Sequence, residues 1–375
     1  MENRRTRSVA AQALAGRVAD NIADPVRRLK FLRATAPALV SPATRRRTGR
    51  MLLWFLIAAL LSVCAAILLR ALPIAGRPVS KHSQLEPPAI VLSEPYPTPA
   101  PSSQIWLVEK TPGSESWSNG LRIDNRFLVS THKRAWLTFP ADGGHSQPRE
   151  TVAGIVFHAT ESQQAPFEPS ENRKLRRLGE SLLEYIQRQK AYNFVIDRFG
   201  RVYRVVAETE TANHSGYSAW ADENWRYINL NESFIGIAFE ASAQIDPAQT
   251  RSAAMLVEML RHRYNIPAAN CVTHAQVSVN PRNMRVGYHL DWAAGLPFEA
   301  MGLPDNYAVA LPALWAYGFD YDPDYSNRAG AGLQIGMARA QTLLDRSAAK
   351  AGLTAVAYRK LLRQHYREML AEVAR

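Results

Sequence analysis

Residues 51–69, MLLWFLIAALLSVCAAILL, are nineteen consecutive uncharged and mostly apolar positions, closed by Arg70. As a helix rising 1.5 Å per residue the run covers roughly 28 Å, which matches the hydrocarbon core of a bilayer. A helix buried in a soluble core rarely lacks a polar face for so long, so a transmembrane helix is expected over 51–70. Arg45, Arg46, Arg47 and Arg50 stand just before it. By the positive-inside rule the N-terminus then stays cytoplasmic and everything past Arg70 lies across the membrane. A cleaved signal peptide fits less well, because a charged leader of this length far exceeds an ordinary n-region. Val63 is also too large to precede a lipoprotein cysteine at Cys64. The run therefore reads as a signal anchor.

Charge and cysteine content agree with that layout. The 375-residue chain carries a net +12, but residues 1–50 hold 12 Lys/Arg against 3 Asp/Glu. The tail thus accounts for +9, and the +3 that remains gives no reason to expect nucleic acid as a partner. The basic tail suits anionic lipid headgroups. Cys64 falls in the apolar run, so Cys271 is alone beyond it and no intrachain disulfide can form there. Residues 71–103 form a linker, with seven prolines between Arg77 and Ser103. In polyproline II it would reach roughly 80 Å from the membrane.

Beyond the linker, apolar patterning predicts a mixed α/β domain. Within 104–150, QIWLVEK, NGLRI, RFLVS and AWLTFP read as short strands, a β-rich N-terminal extension. Residues 151–310 form the main domain. TVAGIVFHAT is an apolar strand carrying His158 near its end, and Leu175, Leu178, Leu182 and Ile186 recur at helical spacing. YNFVID and RVYRVV make a hairpin, SFIGIAFEA another strand, and Asp246-Pro247 opens a helix. CVTH ends the strand series. Residues 311–375 read as a helical extension.

Nine histidines are present, and His158 and His274 each end an apolar strand, where a side chain reaches from a sheet into a cleft. His289 follows in a glycine-containing loop, and His214 lies in ANHSGYSAW. No HExxH or CxxC brackets them. The residues by themselves suggest a three-histidine zinc site with an open coordination position.

IVFHATES, AYNFVIDRFGRVYRVV, ANHSGYSAW, NESFIGIAFE and VTHAQVSVNP…GYHLDW occur in this order from Thr151 to Trp292. In that order and spacing the chain resembles the zinc-dependent N-acetylmuramoyl-L-alanine amidase (amidase type 2)/peptidoglycan recognition protein family. The resemblance implies a mixed central β-sheet flanked by helices, with Zn2+ in a surface groove. It also implies a substrate, peptidoglycan, cut at the amide between N-acetylmuramic acid and L-alanine by a zinc-activated water. His158 and His274 match the first two metal ligands, and Tyr192 matches a catalytic tyrosine of some members. His214 matches a groove histidine that meets substrate or oxyanion. Trp220 and Asn283 are further candidate substrate contacts.

The chain departs from the family pattern twice. The third ligand, an Asp or Cys, aligns with Arg285, whose guanidinium cannot bind metal. His289 is expected to replace it, with Cys271 and Asp291 as rivals. Cys271 is disfavoured because strand alternation turns it away from His274, and Asp291 because its Asp-Trp pair looks structural. Where many members carry Glu after IGI, this chain has Ala238, and Glu240 is the candidate general base. The expected function is a periplasmic-side amidase anchored in the cytoplasmic membrane. The alternative is a module that binds muramyl peptide without cutting it, which Arg285 at a ligand position would suit.

Overall fold

The computed structural model describes residues 104–374 apart from Ala243. The basic tail, apolar run and proline-rich linker expected over 1–103 lie outside the described residues. Among the described residues no helix is long and apolar enough to cross a membrane.

The first strands are β1 (Leu107–Lys110), β2 (Ser114–Trp117), β3 (Arg122–Asp124), β4 (Trp136–Pro140) and β5 (Gln147–Arg149). They are followed by β6 (Gly154–Ala159), helix α1 (Asn172–Gln189), β7 (Phe194–Ile196), β8 (Val202–Arg204), β9 (Ala219–Ala221) and β10 (Trp225–Ile228). Then come β11 (Phe234–Phe239), α2 (Pro247–Tyr264), β12 (Cys271–Thr273) and a single helical turn, α3 (His274–Val277). Eight strands make a mixed sheet in the order β1-β2-β3-β8-β7-β11-β6-β12, and β5-β4-β10-β9 make a second sheet. The expected mixed central sheet with flanking helices is therefore present.

β6 and β11 run parallel inside the sheet near its β12 edge, and every residue of both is buried. Burial on both faces explains why their sequences are unbroken apolar runs rather than alternating ones. The register sets Val156 beside Gly236 and His158 beside Ala238. Successive side chains alternate between faces, so His158, Gly236 and Ala238 share one face with Val195. Leu183 and Ile186 of α1 cluster with Val195 on that face. The opposite face, with Ile155, Phe157 and Phe239, belongs to the larger core that takes in Leu256 and Leu260 of α2. Asp246 and Pro247 open α2 as expected, with Gln249 Oε1 accepting from the Asp246 N–H at 3.0 Å.

The extension at 104–150 is continuous with the domain. β3 pairs with β8 in the central sheet, and β4 pairs with β10. Two strand expectations differ in detail. RFLVS is not a strand, because Asp124 accepts from both the backbone and the side chain of Arg126 and turns the chain out of β3. Ser114–Trp117, polar and unremarked as a strand, pairs on both sides as β2.

The C-terminal residues form α4 (Ala331–Lys350) and α5 (Ala355–Val373). Leu333, Leu344, Leu362 and Tyr366 join the main core, so this extension is packed onto the domain. Arg363 ties α5 down by donating to the Gly318 carbonyl at 2.7 Å and to Asp320 at 2.6 Å.

Candidate metal centre

Two strand ends and one loop build the site. β6 delivers His158, which is 1% exposed. β12 ends at Thr273, and T-H-A-Q is a compact capping box in which Gln276 Oε1 accepts from the Thr273 N–H at 3.0 Å. The box starts α3 at His274 and so fixes that ring beside β6. The loop after α3 then returns, with the Ala275 N–H donating to the Asp291 carbonyl at 3.2 Å. Trp292 follows with φ +59°, a left-handed turn that a bulky residue rarely takes, and its ring is buried among core aromatics.

Asp291 stands between the two histidines. Its Oδ1 lies 2.9 Å from His274 Nδ1 and its Oδ2 lies 3.4 Å from His158 Nδ1. Ligand atoms of His158, His274 and Asp291 all lie within 4.8 Å of one another. Burial, with the charge of His274 second, lowers the His158 pKa to about 4, so the imidazole is neutral near pH 7. Burial opposes ionisation of Asp291, but the two imidazoles, His274 foremost, hold its pKa far below the usual carboxylate range. His274 Nε2 is buried with no hydrogen-bond partner among the described residues. Two buried imidazoles facing an ionised carboxylate are a donor set that suits zinc, which takes nitrogen and oxygen ligands.

The third member of this group differs from the expected one. His289 is an exposed residue whose ring lies flat against His274, with centroids 4.6 Å apart and planes 16° apart, and it is outside the converging set. Asp291, two residues further on, reaches inward instead. Arg285 lies in a short strand, Arg285–Val286, paired with Asp320–Tyr321. Cys271 is fully buried beside Ile155, on the face away from His158, and burial pushes its thiol up to about 12. The loop from His274 to Asp291 contains no other carboxylate or thiol. That signal, the first acidic side chain after His274, was available in the sequence.

Tyr192 has φ +57° and packs its ring 5.0 Å from that of His158. Its phenol is raised well above the usual range by burial. A cavity of about 290 Å³, lined in part by Thr160, Tyr185, Gln189, Tyr192 and Asn213, adjoins it. Three other candidates lie outside the converging set of His158, His274 and Asp291. Glu240 shares the His158 face but lies past the end of β11, accepting from the Arg198 N–H at 3.2 Å. Burial raises its pKa, and the charged groups around it are Asp197, Arg198 and Arg201, not the histidines. Trp220 is a core residue, 1% exposed, with its indole N–H donating to Asn270 at 3.0 Å. Asn283 is exposed and uses Oδ1 to accept from the Arg285 N–H in a turn. His214 lies on the far side of His158 from Asp291: its Nδ1 is 3.1 Å from His158 Nε2 and its Nε2 is 3.2 Å from the Phe234 carbonyl.

A family model described as N-acetylmuramoyl-L-alanine amidase matches residues 148–285. That span holds His158, Tyr192, His214 and His274 and stops short of Asp291. N-acetylmuramoyl-L-alanine amidase AmiD of Escherichia coli (strain K12) is 28% identical over 161 residues, 34% of this chain and 55% of that protein. The chain thus spans about half the length of this curated relative. Two solved structures are distant likenesses. One is AmiD from E. coli with anhydro-N-acetylmuramic acid-L-Ala-D-gamma-Glu-L-Lys, with 18% identity, 61% of this chain and 90% of that chain covered, and a TM-score of 0.34. The other is amidase LysC from Clostridium intestinale URNW, with 21% identity, 46% and 93% covered, and a TM-score of 0.27. Residues 148–285 of this chain are thus similar to the N-acetylmuramoyl-L-alanine amidase (amidase type 2) family.

Proposed function

We propose that the chain is a peptidoglycan hydrolase that cleaves the amide between N-acetylmuramic acid and the L-alanine of the stem peptide. The observation that carries this reading is the convergence of His158, His274 and Asp291 inside a domain matched by the amidase family model. These three residues would hold Zn2+, which supplies Lewis-acid polarisation of the scissile carbonyl and acidifies a water. The chain's own residues do the rest. Asp291 keeps both Nδ1 atoms turned toward one point, and burial keeps the His158 imidazole neutral and able to donate its lone pair. Tyr192, held protonated by its surroundings, would donate to the developing oxyanion. His289, stacked on His274 and neutral near pH 7 because burial lowers its pKa to about 4, would accept a proton from the water and pass it to the leaving nitrogen.

The apolar run at 51–69 supports a single-pass anchor in the cytoplasmic membrane, with the N-terminus cytoplasmic and the hydrolase domain on the cell-wall side. The test uses the full chain in detergent with purified peptidoglycan. Stem peptides beginning at L-alanine, detected by mass spectrometry and abolished by a zinc chelator, are the expected result.

One observation favours a second reading, a muramyl-peptide-binding module without activity. The strand position beside His158 is a methyl group, Ala238, and the Glu240 carboxylate is engaged by the Arg198 N–H. Chain retained on peptidoglycan with no peptide released would favour that reading over the hydrolase.

A further inference from the structure

We propose that His214 is a positioning residue that fixes the tautomer and orientation of His158 from behind, rather than a groove residue that meets substrate. The inference rests on the reading of His158, His274 and Asp291 as a metal centre. It follows from a chain of hydrogen bonds read outward from the Phe234 carbonyl. The Phe234 carbonyl can only accept, so His214 Nε2, 3.2 Å away, carries the hydrogen. In a neutral imidazole the other nitrogen, Nδ1, is then an acceptor. His158 Nε2, 3.1 Å from it, must therefore be the donor. That leaves the His158 lone pair on Nδ1, the nitrogen that faces Asp291. A backbone carbonyl on β11 thus determines, through His214, which nitrogen of His158 is offered to a metal.

The seat of His214 is built into the fold. Asn231 Oδ1 accepts from the His214 N–H at 2.9 Å and from the Ser215 N–H at 2.7 Å, which fixes the backbone. The imidazole occupies the space above Gly236, where a Cβ would stand 2.6 Å from His214 Cγ. A side chain at 236 would push the ring out of line, so glycine is required there by close approach rather than by backbone conformation. The two ring planes are inclined by 79°, with 5.2 Å between centroids. With both ring nitrogens engaged, His214 has none left for substrate.

The test measures zinc affinity of the full chain in detergent by competition with a chromophoric chelator, for the wild type, His214→Phe and His214→Asn. Phenylalanine fills the volume without an acceptor, whereas the Asn Oδ1 stands close to where Nδ1 was. Loss of an outer partner of a ligating histidine typically weakens metal binding by about 10- to 100-fold. That loss is expected for His214→Phe, with recovery to within about threefold of wild type for His214→Asn. Near-UV circular dichroism establishes that each variant is folded. Wild-type affinity in His214→Phe, or an equal loss in both variants, would overturn the proposal. A purely structural histidine would lower the melting temperature of both metal-free variants and leave the affinity unchanged, which also overturns it. A wild-type chain that takes up no zinc would overturn the metal reading itself, and this inference with it.

Discussion

Ala238 stands directly beside His158 on the parallel strands β11 and β6, so a methyl group fills the place from which a carboxylate would reach the site. Glu240, one pleat further on, does not substitute for it. Its carboxylate is held by the Arg198 backbone, and the charges around it belong to the β7–β8 turn. Glu240→Gln is therefore expected to keep peptide release within about threefold of wild type, since it removes no group that meets the transition state. A loss of two orders of magnitude in a kinetic assay would return Glu240 to the site.

Asp291 and His289 make opposite predictions for metal binding. Asp291→Asn removes the ionised donor between the two histidines and is expected to abolish stoichiometric zinc uptake, measured by atomic emission on desalted full chain. His289→Ala removes a ring that stacks on His274 from outside. It is expected to retain one equivalent of zinc while peptide release falls by about 10²- to 10⁴-fold, the usual worth of a group that moves a proton. Zinc lost from His289→Ala and kept by Asp291→Asn would reverse the assignment.

The zinc-free protein should lose stability on mild acidification. His158 has its pKa lowered by burial to about 4, against an unfolded value near 6.5, and His214 is shifted in the same direction. Between these values the unfolded chain binds more protons than the folded one, so stability falls as pH drops from 6.5 toward 4. Each group contributes at most ~1.4 kcal/mol per pH unit, and the slope from His158 levels off below about 4. Denaturant titrations in the presence of chelator read this directly. A flat profile between pH 7 and 4.5 would contradict the buried, neutral assignment.

Trp220 is expected to matter for folding and not for recognition. Trp220→Ala removes a fully buried ring and leaves Asn270 Oδ1 without its indole donor, at a cost of about 3–5 kcal/mol. Under conditions where the variant is folded, its affinity for muramyl peptide should match that of the wild type in calorimetry. A large drop in affinity with unchanged stability would place the ring in the groove.

What the sequence disclosed follows from how locally each feature is encoded. The strand around His158 and the capping box at His274 depend on a few neighbouring residues, and both histidines were legible as strand-end groups. α2 was legible from Asp246-Pro247 and its apolar face. Asp291 was obscured because the loop before it is long and contains a short strand at Arg285, which drew the alignment to a guanidinium. The orientation of His214 depends on the absence of a side chain at Gly236, twenty-two residues away, and on a carbonyl of the same strand. A periodic pattern carries no trace of such a contact. Trp220 is a candidate substrate contact by its position near His214 in sequence, which conceals that β9 turns it into the core.

Metal restoration tests the central claim most directly. The full chain in detergent is stripped with chelator, desalted, and given zinc in steps while release of stem peptides from purified peptidoglycan is followed by mass spectrometry. The account predicts no release from the stripped chain and recovery that saturates at one equivalent of zinc per chain, with none in Asp291→Asn. Release that persists in the metal-free chain, or that never appears when zinc is bound, would contradict it.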